Sequence, residues 1–364
     1  MRIIISGGGT GGHVFPAIAI ADAIKKERPE AEILFVGAEG KLEMDRVPKA
    51  GYSIVGLPIR GFHRKLTFRN LMFPFKLLAS LWKARKVIKD FKPHVAVGVG
   101  GYASGPVLQV ANFRNIPTLV QEQNSYAGVT NKLLAKKADR ICVAYDNMEK
   151  FFPKDKIVFT GNPVRREIFE NNITTSGAKA KLGLVEHKKT ILIFGGSLGA
   201  RALNESIAAG VELLRQHSEI NFIWQVGKLY YEDYNDSEVA KLPNVTVLPF
   251  IDDMASAYRA ADLVVCRAGA LTISELSLVV KAAILVPSPN VAEDHQTKNA
   301  NALVEKGAAV MVRDAEGKEK LVKIMLELIE DEEKCEVLRE NIKQFGRPDA
   351  AREISKQVLE LIEN

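Results

Sequence analysis

The chain has 364 residues, 47% of them hydrophobic and 26% charged, with a formal net charge of +6. That length exceeds one ordinary core, so two domains are expected, and the balance of residues excludes a disordered or low-complexity chain. No apolar run approaches the roughly 20 residues that span a bilayer, the start does not read as a secretory signal, and Cys142, Cys266 and Cys335 stand too far apart for a metal or disulfide framework.

The first strand, 2–6, runs into "GGGTGGH" and then a helical pattern. Gly7, Gly9 and Gly12 satisfy G-x-G-x-x-G. Such a loop lets backbone amides approach an anion at the positive end of the following helix. A nicotinamide enzyme also wants an acidic residue at the end of the next strand, to hold the ribose. Here the strand at 33–36 ends in Gly37, with Glu39 displaced, which weighs against that cofactor. Thr10 and His13 add a hydroxyl and a titratable ring. His13 is read either as a structural ring bonded within the turn or as a general base, since an ordinary imidazole titrates near pH ~6.5. Pro16 is expected in the first helical turn, where its missing N–H costs little.

Residues 59–93 concentrate positive charge: Arg60, Arg64, Lys65, Arg69, Lys76, Lys83, Lys86 and Lys89. A helix there has two apolar stripes. Phe75, Leu77, Leu81, Ala84 and Ile88 form one, suited to a core. Phe75, Leu78 and Trp82, extended by Leu71, Met72 and Phe73, form another roughly 120° away. Such a helix is either buried between elements or lies on an anionic lipid surface. No aromatic-interleaved platform or motif for nucleic acid accompanies the charge.

Strands follow at 95–99, leading into the glycine-rich "GVGGYASGPVL", at 118–121, leading into Glu122 and Asn124, and at 140–143. Near residue 163 the grammar restarts. "TILIFGGSLGARALNESI" again gives strand, glycine loop and helix, and further strands are expected at 221–225, 246–249, 263–266 and 283–286. This alternation reads as α/β, with two doubly wound parallel sheets facing across a crevice. The expected domains are 1–162, 163–345 and a C-terminal helical segment, 346–364, returning to the first. In that last helix, Ile354, Val358, Leu361 and Ile362 share a face.

Two constellations in the second half bear chemistry. "VCRAGALTISEL" turns at Gly269 and enters a helix at about Thr272. Amides of Ala270 to Ile273 could face a phosphate, and Glu275 could accept both vicinal hydroxyls of a ribose. Equally, Thr272 or Ser274 could cap the helix, with Glu275 as its helix-start acid. "SPNVAEDHQTKNANAL" gathers Asn290, Glu293, Asp294, His295, Gln296 and Asn299, whose carboxamides suit sugar hydroxyls. Adjacent Asp294 and His295 make a poor metal pair. No D-x-D follows a strand, and Asp252–Asp253 reads as a helix start.

In order along the chain, "GGTGGHVFPA", "GVGGYASGP", "EQNSYAGVTNK", "GNPVR", "GGSLGAR", "FIDDM", "CRAGALTISE" and "EDHQTKNA" resemble the MurG family. These are the UDP-N-acetylglucosamine–undecaprenyl-pyrophosphoryl-muramoyl-pentapeptide N-acetylglucosamine transferases. The resemblance implies a GT-B glycosyltransferase fold and inverting transfer of N-acetylglucosamine from UDP to the muramoyl 4-hydroxyl of lipid I, giving lipid II. It places substrate binding on Thr10, Gly11, Gly12, Asn124, Arg165, Ser197, Ile251, Ala270, Leu271, Thr272, Ile273, Ser274, Glu275 and Gln296. His13 is the expected base and Glu122 the second candidate. No cofactor and no metal are implied. The implied partners are the UDP-sugar, the lipid-borne acceptor and an anionic membrane surface met by residues 60–92, at the cytoplasmic face of the bacterial inner membrane. The rival readings are another GT-B UDP-sugar transferase, a sugar-nucleotide epimerase, or a sugar-nucleotide sensor without a base. Three positions depart from the family pattern: Leu198 where many members have glutamine, and Val280 and Ala282 where glycine and proline are common.

Overall fold

Three consecutive isoleucines, Ile3 to Ile5, set the pattern of the first half: all are fully buried, on alternating faces of one strand. A computed structural model describes residues 1–59, 61, 72–170 and 172–363. The chain divides into two units, one formed by Met1–Arg165 with Arg347–Asn364, the other by Arg166–Gly346. Each is built on a wholly parallel sheet.

The first unit has seven strands: β1 (Arg2–Ser6), β2 (Glu32–Ala38), β3 (Ser53–Leu57), β4 (Val95–Gly98), β5 (Thr118–Glu122), β6 (Arg140–Val143) and β7 (Ile157–Phe159). Their order is β3-β2-β1-β4-β5-β6-β7. Ser6 pairs with both Val36 and Gly98, so the strands on either side of the chain reversal end level with one another. Ile3 and Ile5 face the helices Gly11–Glu27 and Ala350–Glu363, whose Ile20, Ile24, Ile354 and Val358 share their core. Ile4 faces the other way, toward Ala84 and Ile88 of the helix Phe73–Phe91, Val107 of Ser104–Phe113 and Leu134 of Val129–Ala135. Each such fully buried aliphatic side chain contributes about 1.5–3 kcal/mol.

The second unit repeats the plan with six strands: β8 (Lys189–Phe194), β9 (Ile220–Gln225), β10 (Val245–Leu248), β11 (Leu263–Cys266), β12 (Ala282–Leu285) and β13 (Val310–Met311), ordered β10-β9-β8-β11-β12-β13. Phe194 pairs with Gln225 and Cys266, and Cys266 with Leu285. Both sheets reverse strand order beside their first strand, the position at which doubly wound sheets bind ligands. The three cysteines are buried and unbridged. Burial pushes the Cys142 thiol up to about 12, which keeps it inert.

Two local expectations are corrected. The first helix begins at Gly11, because Thr10 is extended and its carbonyl already accepts the amides of His13 and Val14. Pro16 therefore lies in the second turn and gives no N–H to the Gly12 carbonyl. In the helix Phe73–Phe91, Phe75 is exposed while Ser80 takes a buried position, so Phe75 belongs only to the outer stripe.

Val280 ends the helix Ala270–Val279 in the left-handed conformation (φ 53°), its amide bonded to the Leu276 carbonyl. A β-branched residue is strained there. Val280→Gly is expected to raise stability by about 1 kcal/mol, read as a higher melting temperature with unchanged activity.

Candidate functional site

In the first unit the loop leaving β1 is latched by a carboxylate supplied from elsewhere. Glu43, buried in the helix Glu43–Lys49, accepts the Gly9 amide at 2.8 Å and the Ala38 amide at 2.9 Å. Gly37 makes room for it: a Cβ there would lie 2.4 Å from Glu43 Cγ. The acid missing from the end of β2 is thus replaced by one that binds the protein's own loop. The Gly9 amide is not left for a cofactor phosphate, and the site of a ribose-binding acid is filled. Sequence reasoning noted Gly37 but missed Glu43.

His13, in the first turn of the helix Gly11–Glu27, lies over the β4 exit. A Cβ at Gly100 would come 2.8 Å from the ring, so "GVGGYASG" carries glycine where the imidazole packs. Nδ1 of His13 is 3.1 Å from Gln123 Oε1. Behind it runs a chain of buried carboxamides. Gln123 Nε2 donates to the Val99 carbonyl at 2.7 Å and, by a short bond, to Gln121 Oε1. Gln121 Nε2 donates to Asn162 Oδ1 at 3.0 Å, and Asn162 Nδ2 donates to the Gln123 carbonyl at 3.0 Å. Gln121, Gln123 and Asn162 were missed from sequence. The signal was there: "VQEQN" puts polar residues at the end of a wholly buried strand.

Glu122 is also buried, and its carboxylate closes the following loop. Oε1 accepts the Asn124 amide at 3.0 Å and Asn124 Nδ2 at 3.1 Å; Oε2 accepts the Gly128 amide at 3.0 Å and Asn131 Nδ2 at 2.9 Å. Asn124 is therefore held by Glu122. Arg165 stacks its guanidinium 4.8 Å over the Phe15 ring, one turn from His13's own helix start. Thr10, Gly11, Gly12, His13, Glu122, Asn124 and Arg165 all belong to this unit, with the loop residues at the carboxyl ends of β1 and β5.

In the second unit Ser197 and Leu198 stand exposed at the tip of the loop leaving β8. Leu198, two-thirds exposed, has no core to fill. Ile251 is buried just beyond β10. The helix after β11 starts at Ala270, two residues earlier than expected. Extended Gly269 takes the cap position without a side-chain bond, and Ser274 Oγ donates back to the Ala270 carbonyl at 3.1 Å. Neither Thr272 nor Ser274 caps this helix, so Ala270, Leu271 and Thr272 supply its N-terminal amides.

Glu275 lies in the second turn of that helix, with Ile273 and Ser274 before it. Its Oε2 accepts a 2.9 Å bond from the hydroxyl of fully buried Tyr258. Tyr258, a partner missed from sequence, turns the carboxylate into a fixed acceptor. Gln296 is likewise oriented: its Oε1 accepts the Ser288 amide at 2.8 Å, which leaves its NH₂ as the end able to donate elsewhere. Ahead of it, Glu293 (φ 55°) and Asp294 (φ 51°) are both left-handed, a strained pair at the mouth of a helix. Among the described residues no group of three His, Cys, Asp or Glu side chains is placed to hold a metal ion.

The glycosyltransferase family 28 N-terminal domain matches residues 3–143, and the glycosyltransferase family 28 C-terminal domain matches residues 190–357. The chain is 58% identical, over 99% of its length and 96% of the relative's, to the UDP-N-acetylglucosamine–N-acetylmuramyl-(pentapeptide) pyrophosphoryl-undecaprenol N-acetylglucosamine transferase of Bacteroides fragilis. Its structure is similar to the crystal structure of Acinetobacter baumannii MurG, with a TM-score of 0.78, 30% identity and 99% of each chain covered. It also shares its fold, at 15% identity and a TM-score of 0.70, with a UDP-GlcNAc 2-epimerase from Neisseria meningitidis over 99% of this chain and 100% of that one.

Proposed function

The chain belongs to glycosyltransferase family 28, among the MurG transferases, and from that membership we infer that it transfers N-acetylglucosamine from UDP-N-acetylglucosamine to lipid I, forming lipid II for peptidoglycan. Full-length relatedness carries the reaction; the family resemblance supplies the ligand roles of the residues, and the bonds that orient Glu275 and Gln296 support theirs.

The acceptor's muramoyl 4-hydroxyl attacks the anomeric carbon from the side opposite UDP. The new glycosidic C–O bond forms as the sugar–phosphate bond breaks, the electron pair leaves on UDP, and the hydroxyl proton passes to a base. His13 is that base, since its ring stands at a strand exit while the carboxylate of Glu122 is committed to its own loop. UDP is held by the second unit. Amides of Ala270, Leu271 and Thr272 face its phosphates, with the Ser197 hydroxyl, where the N-terminal dipole favours anions. Arg165 offsets further diphosphate charge. The Ile251 backbone pairs with the uracil edge, Glu275 accepts the ribose hydroxyls beside the Tyr258 bond, and the Gln296 NH₂ donates to the sugar. Thr10, Gly11, Gly12 and Asn124 of the first unit are the further substrate-binding residues that the family resemblance assigns.

Incubation with UDP-N-acetylglucosamine and a lipid I analogue tests the reading. Release of UDP with a lipid II product supports it. Formation of a 2-epimer without acceptor would favour the epimerase instead.

Membrane contact is the second part of the proposal. Phe75 and Leu78 are each 64% exposed, Trp82 is 75% exposed and Phe113 is 87% exposed, on neighbouring helices that bury their opposite sides in one core. Lys76, Lys83, Lys86 and Lys89 flank them, and Lys83 also meets Glu39. Arg60, Arg64, Lys65, Arg69 and Leu71 lie outside the described residues. No helix among the described residues is long and apolar enough to cross a membrane. The apolar stripe with its lysine border suits the interface of an anionic bilayer, where the lipid acceptor resides. Trp82→Glu is expected to weaken binding to anionic vesicles by about tenfold. Wild-type binding should fall as salt rises. Equal binding by the variant in a flotation assay would defeat the assignment.

A further inference from the structure

The carboxamide chain behind His13 has a direction, and that direction reaches the ring. Resting on the reading of His13 as the base, we propose that Gln123 is a positioning residue that holds neutral His13 in its Nδ1–H tautomer, leaving Nε2 as the nitrogen that takes the acceptor's proton.

Carboxamide orientation is a question of which end donates. Here two backbone carbonyls answer it, because a carbonyl can only accept. The Gln123 carbonyl faces Asn162, so Asn162 must present its NH₂ there at 3.0 Å and turn Oδ1 toward Gln121. Gln121 must then present its NH₂ to that oxygen, at 3.0 Å, and its Oε1 to Gln123. Gln123 must meet that Oε1 with its own NH₂.

The second anchor is independent. The Val99 carbonyl lies 2.7 Å from the same Gln123 nitrogen and also requires a donor. Both anchors assign Gln123 the same orientation. Its Oε1 is thereby turned to His13 Nδ1, 3.1 Å away, and accepts from it. Flipping Gln123 or Asn162 would oppose oxygen to oxygen at a backbone carbonyl, and flipping Gln121 would set its oxygen against Asn162 Oδ1 and its nitrogen against Gln123 Nε2, in a buried site where all three are no more than 2% exposed. An imidazole whose Nδ1 must donate carries its lone pair on Nε2 when neutral. A pendant acceptor on a catalytic histidine is the usual means of fixing its tautomer. A carboxamide does this without adding a negative charge beside a diphosphate substrate.

The test is long-range ¹H–¹⁵N NMR on the full-length chain with ¹⁵N-labelled histidine. It holds six histidines, and His13 is assigned by loss of its signals in His13→Asn. Neutral His13 is expected as the Nδ1–H form. In Gln123→Met the ring is expected to move toward the Nε2–H form. There kcat should fall about 10- to 100-fold while KM for the UDP-sugar stays within about twofold. The wild-type spectrum needs no variant to fold: an Nε2–H ring there overturns the proposal. So does a Gln123→Met enzyme that keeps both the Nδ1–H form and full turnover. Full turnover by His13→Asn, beside an Nδ1–H ring in the wild type, would defeat the base reading instead and leave the tautomer assignment standing.

Discussion

Replacing His13 with alanine is expected to lower kcat by about 10²- to 10⁴-fold, with KM for UDP-N-acetylglucosamine little changed. The sugar hydroxyl is a weak nucleophile until its proton leaves, and a positioned base contributes that much by taking it in the transition state. A loss of about a thousandfold corresponds to about 4 kcal/mol of barrier. The structural alternative predicts another pattern. If the ring only tied the β1 and β4 exits together, its removal would lose one bond to Gln123 and the packing over Gly100. The cost would appear as lower stability, with donor affinity and turnover falling together. Steady-state kinetics beside a melting curve separates the two: a large fall in kcat with the melting temperature nearly unchanged identifies the base. Wild-type turnover in the variant would end that role for His13.

What the sequence made legible follows from how local each signal is. Central strands were readable because runs such as Ile3–Ile5 and Leu263–Cys266 are buried on both faces and leave a continuous apolar signature. β3, β7 and β13 are edge strands: β3 buries only Gly56 and Leu57, β7 and β13 bury no residue fully, and β13 has two residues, so no such signature forms. At the proposed site, the candidates are residues that a motif announces: His13 after a glycine loop, Glu275 in a helix start, Gln296 in a carboxamide-rich junction. The groups that hold them carry no such motif. Gln123 is 110 residues from His13, Glu43 is 34 from Gly9, and Tyr258 is 17 from Glu275. Partnerships at those separations are made by strand order, and only the folded sheet reveals them. The helix start at Ala270 was misjudged for a related reason. Hydroxyl residues advertise a cap, while an extended glycine caps with its backbone alone.

The second large effect is expected at Glu122, and it concerns stability rather than proton transfer. A carboxylate offers about four lone-pair positions. In Glu122 four donors already address them: the amides of Asn124 and Gly128 and the side-chain nitrogens of Asn124 and Asn131. Glu122→Ala leaves these donors facing a cavity in a site only 1% exposed. Each charge-assisted bond is worth about 1.5–3 kcal/mol, and partial relaxation keeps the total below their sum, so a loss of about 3–5 kcal/mol is expected in urea unfolding. Glu122→Gln sharpens the distinction. Its Oε1 can still accept both bonds from Asn124, but its NH₂ then confronts the Gly128 amide and Asn131 Nδ2, donor against donor. The isosteric change should therefore destabilise almost as much as the truncation, and the residual folded enzyme should keep measurable turnover. A general base would behave in the opposite way. Glutamine would preserve the fold and abolish the reaction, because it has the shape of the carboxylate without its capacity to take a proton. A stable, inactive Glu122→Gln enzyme would transfer the base role from His13 to Glu122.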